Sequence, residues 1–158
     1  MPLLYPLLLL AATALNGLLA GASLDQSIKQ LPARHRIGMV AYSAYSRAAD
    51  LGPGIVWYAT LGIGAALLTV AAAALAYIQA ILFTQALPLY LAAGTSLAHS
   101  LATAQAAPTN FRQRQVSDDA TQLAMILGQF ERWQIVRVVF QVTSFGLLLW
   151  ALVAICSA

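Results

Sequence analysis

Apolar positions fall into four long blocks, at about 3–23, 53–75, 82–106 and 134–156, separated by two polar connections and one uncharged tip. Each block has the roughly 20 residues that an α-helix needs to cross a bilayer core. From Leu51 to Phe111 there is no Asp, Glu, Lys or Arg. That run is too long for one crossing, so it predicts two spans joined by a hairpin. Its tip lies over Tyr77–Leu87, where Gln79, Thr84 and Gln85 interrupt the apolar run. Gly52-Pro53-Gly54 is a turn signal that starts the second span, and Trp57 and Tyr58 follow as interfacial anchors. Pro88 is tolerable inside the third span because neighbouring helices satisfy the freed carbonyl.

The polar connections carry helical signals of their own. In Asp25–Asp50, Pro32 predicts a break, after which Ile37, Val40, Ala41, Ala44, Tyr45 and Ala48 recur at helical spacing, predicting a short amphipathic helix along the interface. Pro108-Thr109-Asn110 is expected to end the third helix. Ser117-Asp118-Asp119 has the capping and acidic residues of a helix start, and that helix is expected to run on into the fourth span. The fold class that follows is all-α: a four-transmembrane-helix bundle with amphipathic interfacial segments in its two connections, one domain over 1–158. The first block ends in a signal-peptidase-like Leu19-Ala20-Gly21-Ala22-Ser23 but lacks a basic start, so it reads as a retained helix. Within it, Gly17 and Gly21 form a Gly-x-x-x-Gly pair suited to close helix packing, within the chain or against a second copy.

Composition sharpens this. The chain is 61% hydrophobic and 8% charged, with net charge +3; soluble domains carry about 25% charged residues, so this is an integral membrane protein. Seven of the eight Lys and Arg lie in the two connections. The positive-inside rule then puts those connections in the cytoplasm and both termini outside, in a membrane such as the bacterial inner membrane. No basic stripe with interleaved aromatics points to nucleic acid. The single Cys156 excludes an internal disulfide and a cysteine metal cage.

Polar residues inside the spans are where chemistry is expected, because lipid tolerates them only beside a partner or a wet cavity. At 1.5 Å per residue, Asn16, Thr60, His99 and Gln141 fall at a similar depth, about 10 Å from the connection end. Ser96, His99 and Thr103 form a stripe on the third helix, and Trp133, Arg137, Gln141 and Ser144 form one on the fourth. Facing stripes predict a pocket open toward the cytoplasm and lined by Asn16, His99, Arg137 and Gln141. The same residues also fit a set of interhelical hydrogen bonds worth about 0.6 kcal/mol each. His99 has the chemistry of a base, a proton carrier or a haem ligand. His35 is the other histidine. No metal cluster spacing appears. Asp50 and Glu131 stand just outside spans, as interfacial charges or as site carboxylates.

The order of Asn16-Gly17 with Gly21, Pro108-x-Asn110, and Trp133 followed by Arg137 resembles the anthrone-oxygenase-like family of small four-helix membrane proteins. The resemblance extends over essentially the whole chain. It implies oxidation of a polycyclic anthrone to an anthraquinone by molecular oxygen, without a tightly bound metal or flavin, and it carries over Asn110, Trp133 and Arg137. Added to the residue-level reading, it assigns His99 as base, Arg137 as electrostatic stabiliser, and Trp133 and Tyr58 as stacking partners for substrate. Asn16, Asn110 and Gln141 complete the expected binding set. The expected partners are the bilayer and a lipophilic small molecule, with a homo-oligomer or larger complex left open.

Two other readings stand beside this one. A non-enzymatic accessory subunit would use the polar residues as packing glue, and a haem-binding electron carrier would use His99. An enzyme requires a cavity of several hundred cubic ångströms reaching His99, whereas a packing subunit closes that layer with small residues.

Overall fold

The computed structural model describes residues 3–116 and 119–156, and within them the chain is helical with no strand. Helix α1 spans Leu4–Asp25 and passes through a π-helical turn, Gln26–Gln30, into α2, Leu31–Ile37. Then follow α3 (Met39–Ala48), α4 (Gly54–Ile78), α5 (Phe83–Phe111), a 3₁₀ turn (Arg112–Arg114) and α6 (Ala120–Cys156). Three stretches are long and apolar enough to cross a membrane: Leu4–Ile37, Gly54–Ile78 and Ala120–Cys156. Helix α5 is as long, but Ser, Thr, Gln and His make it more polar.

The four long helices form a ring in which each packs against its two neighbours: α1 on α4 and α6, and α5 on α4 and α6, with the α5–α6 seam the most extensive. The hairpin tip between α4 and α5 closes through Ala80, which takes φ +51°. At this end the core is built from Ala12, Ala72, Ala76, Ala86, Ala92 and Ala151 around Tyr5, Leu9, Leu89 and Leu148. Alanines let helix backbones come close where no solvent drives them together. Outward, α1, α4, α5 and α6 all expose large apolar side chains, among them Leu10, Leu67, Leu97 and Val139.

Prolines end helices less often here than their positions predict. Pro32 lies inside a continuous helix, directly after the π turn, whose wider backbone accommodates its ring at the start of α2. The break falls at Gly38 instead, whose φ of +88° stops the helix. Pro108 is likewise internal, and α5 continues to Phe111. Asp119 caps α6, its Oδ1 accepting from Thr121 and Gln122 N–H at 2.9 and 3.0 Å; Ser117 and Asp118 lie outside the described residues.

The expected short helix of the first connection forms as α3, which buries Tyr42, Ser43 and Ser46 and turns Ala41, Ala44, Tyr45 and Ala48 outward; Ile37, at the end of α2, is exposed too. The start of α6 runs unbroken into the span, as expected, and buries Leu123, Ile126, Leu127 and Phe130. Arg34 of α2 clamps it through Glu131 at 2.6 Å.

The Gly-x-x-x-Gly pair is used by halves. A Cβ on Gly17 would meet the Phe145 ring at 3.0 Å, whereas one on Gly21 would meet nothing within 4 Å. Gly17→Leu is therefore expected to destabilise the detergent-solubilised protein by on the order of 1–3 kcal/mol through overpacking of α1 on α6. Gly21→Leu should stay within about 0.5 kcal/mol. Equal thermal midpoints for the two variants would refute this packing.

Candidate functional site

At the end away from the hairpin tip the bundle opens into a cavity of about 570 Å³. Its wall is mainly apolar, with Leu19 from α1, Ile55, Ala59, Gly62, Ile63, Ala66 and Leu67 from α4, Ala104, Ala107 and Phe111 from α5, and Phe130 from α6. Its polar groups are Gln26, Asp50, Tyr58, His99, Ser100, Thr103, Asn110 and Arg137. Ile63, Leu67, Ala104 and Phe111 are exposed, so the cavity opens sideways between α4 and α5.

His99 and Arg137 meet across the α5–α6 seam. His99 Nδ1 lies 3.0 Å from the Arg137 carbonyl oxygen. A carbonyl only accepts, so Nδ1 carries the proton and Nε2 keeps its lone pair. The nearest polar atom to Nε2 is Thr103 Oγ1, at 3.4 Å. Thr103 gives its hydroxyl proton to the His99 carbonyl at 2.9 Å and so does not engage Nε2 strongly. Arg137 donates from Nε to Thr103 Oγ1 at 3.0 Å and from Nη1 to Gln134 Oε1 at 2.8 Å. Its side chain is half-buried. Among the described residues it has no carboxylate partner; the ion pairs are Lys29–Asp25 and Arg34–Glu131.

Asp50 stands in the turn between α3 and α4. Gly52 and Gly54 make that turn possible, since a Cβ on either would lie within 2.7 Å of the Ala48 or Ala49 carbonyl. The carboxylate is 8% exposed and accepts from Ser46 Oγ at 2.9 Å. Burial pushes its pKa above the ordinary value, against hydrogen bonds from Ser46 and Gln26. Gln113 holds this corner together. It donates to Asn110 Oδ1 at 2.6 Å and to Ser46 Oγ at 3.3 Å, and accepts from Ser43 Oγ at 3.0 Å. Burial, then the Asp50 charge, also push the Tyr42 phenol up.

The expected site residues divide. His99, Arg137, Tyr58 and Asn110 line the cavity, while Asn16, Gln141 and Trp133 do not. Asn16 and Gln141 form a buried layer instead: Gln141 Nε2 donates to Asn16 Oδ1 at 3.0 Å, Asn16 Nδ2 to Thr69 Oγ1 at 3.0 Å, and Ser144 Oγ to the Ala92 carbonyl at 3.2 Å. These contacts are hydrogen-bonded glue one turn beyond Arg137, and they floor the cavity. Thr60, expected in this layer, is exposed, and Thr69 takes its place. Trp133 packs against the cluster of Leu31, Tyr42, Ala106, Leu127 and Phe130. His35 is exposed on α2. Sequence reasoning missed Gln26, at the start of the π turn, and Ser100, both of which share the cavity with His99.

Two outcomes follow. Asn16→Leu leaves Gln141 and Thr69 with unmet polar atoms and should cost about 1–3 kcal/mol, whereas Thr60→Ala should leave the thermal midpoint nearly unchanged; similar losses would contradict the layer. For Asp50, a raised folded-state pKa means that ionisation opposes folding, fully so above that folded value and not at all below the ordinary 3.8. Asp50→Asn should therefore raise the thermal midpoint near neutral pH, with a gain that shrinks as pH falls toward 3.8. A gain independent of pH would count against a desolvated carboxylate. Set against family models, curated proteins and solved structures, the chain matches none of them.

Proposed function

We propose that this protein is a membrane-embedded oxygenase acting on a lipophilic, anthrone- or quinol-like aromatic held in the cavity between α4, α5 and α6. One observation carries the reading. A histidine nitrogen with a free lone pair and a guanidinium with no carboxylate partner among the described residues share a mostly apolar chamber with a sideways opening. In this arrangement α5 also crosses the membrane, as the third of four spans, the basic connections are cytoplasmic, and both termini lie on the far side of a bacterial inner membrane. A lipophilic substrate then enters from the bilayer between α4 and α5.

The chemistry needs two services from the chain. His99 Nε2 takes the proton from the carbon opposite the anthrone carbonyl, and Arg137 stabilises the enolate oxygen that forms. The electron-rich carbon gives its electrons to molecular oxygen, a carbon–oxygen bond forms, and the resulting hydroperoxide loses water to leave the second carbonyl. One oxygen atom remains in the quinone, and the other departs as water. No cofactor is needed in this balance. Tyr58 flanks the ring, and Asn110 lies at the connection end of the chamber.

The test is the oxygen-dependent conversion of anthrone to anthraquinone by the detergent-purified protein, measured above the uncatalysed rate. Arg137→Leu and His99→Gln should each reduce turnover by at least about a hundredfold, the scale of removing one electrostatic or acid–base group. An unaccelerated wild-type reaction, or undiminished activity in both variants, would overturn the assignment.

A further inference from the structure

The oxygenase reading uses His99 and Arg137 and gives Asp50 nothing to do. Yet Asp50 is the most unusual carboxylate in the molecule. It is almost wholly buried, lines the cavity, and has no cationic partner among the described residues. The nearby arginines are committed elsewhere: Arg34 to Glu131, Arg114 to the Leu51 carbonyl, and Arg137 to Thr103 and Gln134. A carboxylate has about four acceptor positions, and Ser46 and Gln26 are the neutral donors that reach it. Buried charges are normally paired, and here no cation does the pairing among the described residues.

In the same chamber Arg137 donates to two neutral acceptors and has no carboxylate partner among the described residues. Asp50, Tyr58 and Arg137 all line this one cavity. The Asp50 carboxylate is also held firmly. Ser46, Gln113, Asn110 and Ser43 form a connected network behind it, so it cannot swing away to find water without breaking that network. Such rigidity suits a binding group.

We infer that Asp50 is a specificity-determining residue of the cavity: it receives an O–H or N–H donor from a bound aromatic whose acidic oxygen lies against Arg137. The inference rests on the cavity being a ligand site, and it adds a second polar requirement to the ligand. An aromatic with a single polar end is a poor fit. One with an acidic oxygen and a separate donor satisfies both charges and covers the apolar wall between them.

The probes are a set of ring-hydroxylated naphthoates, each paired with its methyl ether, titrated by their fluorescence into the purified protein in lipid nanodiscs. The ether keeps the ring, the carboxylate and the bulk, and removes only the donor. At least one hydroxylated isomer should bind wild-type protein about tenfold more tightly than its ether, as a charge-assisted hydrogen bond warrants. Asp50→Ala should reduce that ratio to under about threefold while unsubstituted naphthoate still binds. Arg137→Gln should weaken every naphthoate by about tenfold and keep the hydroxyl preference. If wild-type protein binds every isomer and its ether equally, with binding still dependent on Arg137, Asp50 has no such role and the cavity reading stands. If naphthoates do not bind, or bind regardless of Arg137, the cavity reading fails and takes the Asp50 inference with it. Because the hydroxyl-to-ether ratio is measured on wild-type protein, the question is decided even if Asp50→Ala does not fold.

Discussion

A guanidinium placed among membrane-length helices must find hydrogen-bond acceptors inside the protein, because lipid offers none. Arg137 finds Thr103 on α5 and Gln134 one turn earlier on its own helix. Gln134 in turn donates to the Ser23 carbonyl and Ser27 Oγ, where α1 passes into the π turn. The needs of one cation therefore tie α5, α6 and α1 into a single arrangement. Its backbone carbonyl also fixes the tautomer of His99. Helix α4 takes no part in this chain of contacts, and the cavity lies on that side.

The rest of the bundle explains why the space stays open. At the hairpin tip, alanines on α4 and α5 interlock, and the helices close. Next comes the floor of Asn16, Thr69, Gln141 and Ser144, whose polar atoms satisfy one another. Beyond the floor, α4 presents Ile55, Ala59, Gly62, Ile63 and Ala66 to the chamber. These side chains are too short or too divergent to reach α5 and fill the gap. Interfaces rich in small residues pack tightly only where both partners are small. One helix pair is thus closed at one end and parted at the other.

Periodicity and charge made the helical class, three helices long and apolar enough to cross a membrane, and the facing polar stripes legible. The stripes do meet, through Thr103 on Arg137 and Ser144 on the Ala92 carbonyl. Depth estimated by helix rise was too coarse to separate the Asn16 layer from the His99 layer, which differ by a single turn of about 5.4 Å. That is why Asn16 and Gln141 group with the pocket when the sequence is read alone. The π turn at Gln26–Gln30 was invisible because it depends on hydrogen-bond register and not on residue type. Pro32 and Pro108 misled because a proline's effect depends on whether the local backbone accommodates its ring and its missing donor. Asp50 was visible as a charge beside a turn, but its burial depends on how α3 folds back.

That folding back links the interfacial helix to the site. Helix α3 turns Tyr42, Ser43 and Ser46 inward and its apolar stripe outward, an inversion of the usual pattern in which only Tyr42 and Met39 meet an apolar cluster. The inversion suits an element with lipid on one side and a polar network on the other. Its inward serines hold Gln113 and Asp50 in place. Asp50 and Arg137 do not neutralise each other directly, although replacing buried ionic groups with apolar ones is often neutral or stabilising. A fold selected for stability alone has no reason to keep two such charges on one chamber. Their retention follows if a ligand supplies a further donor and acceptor, because its binding then recovers the stability that the empty chamber forgoes. Helix α3 is in that case part of the binding site, although none of its residues lines the cavity.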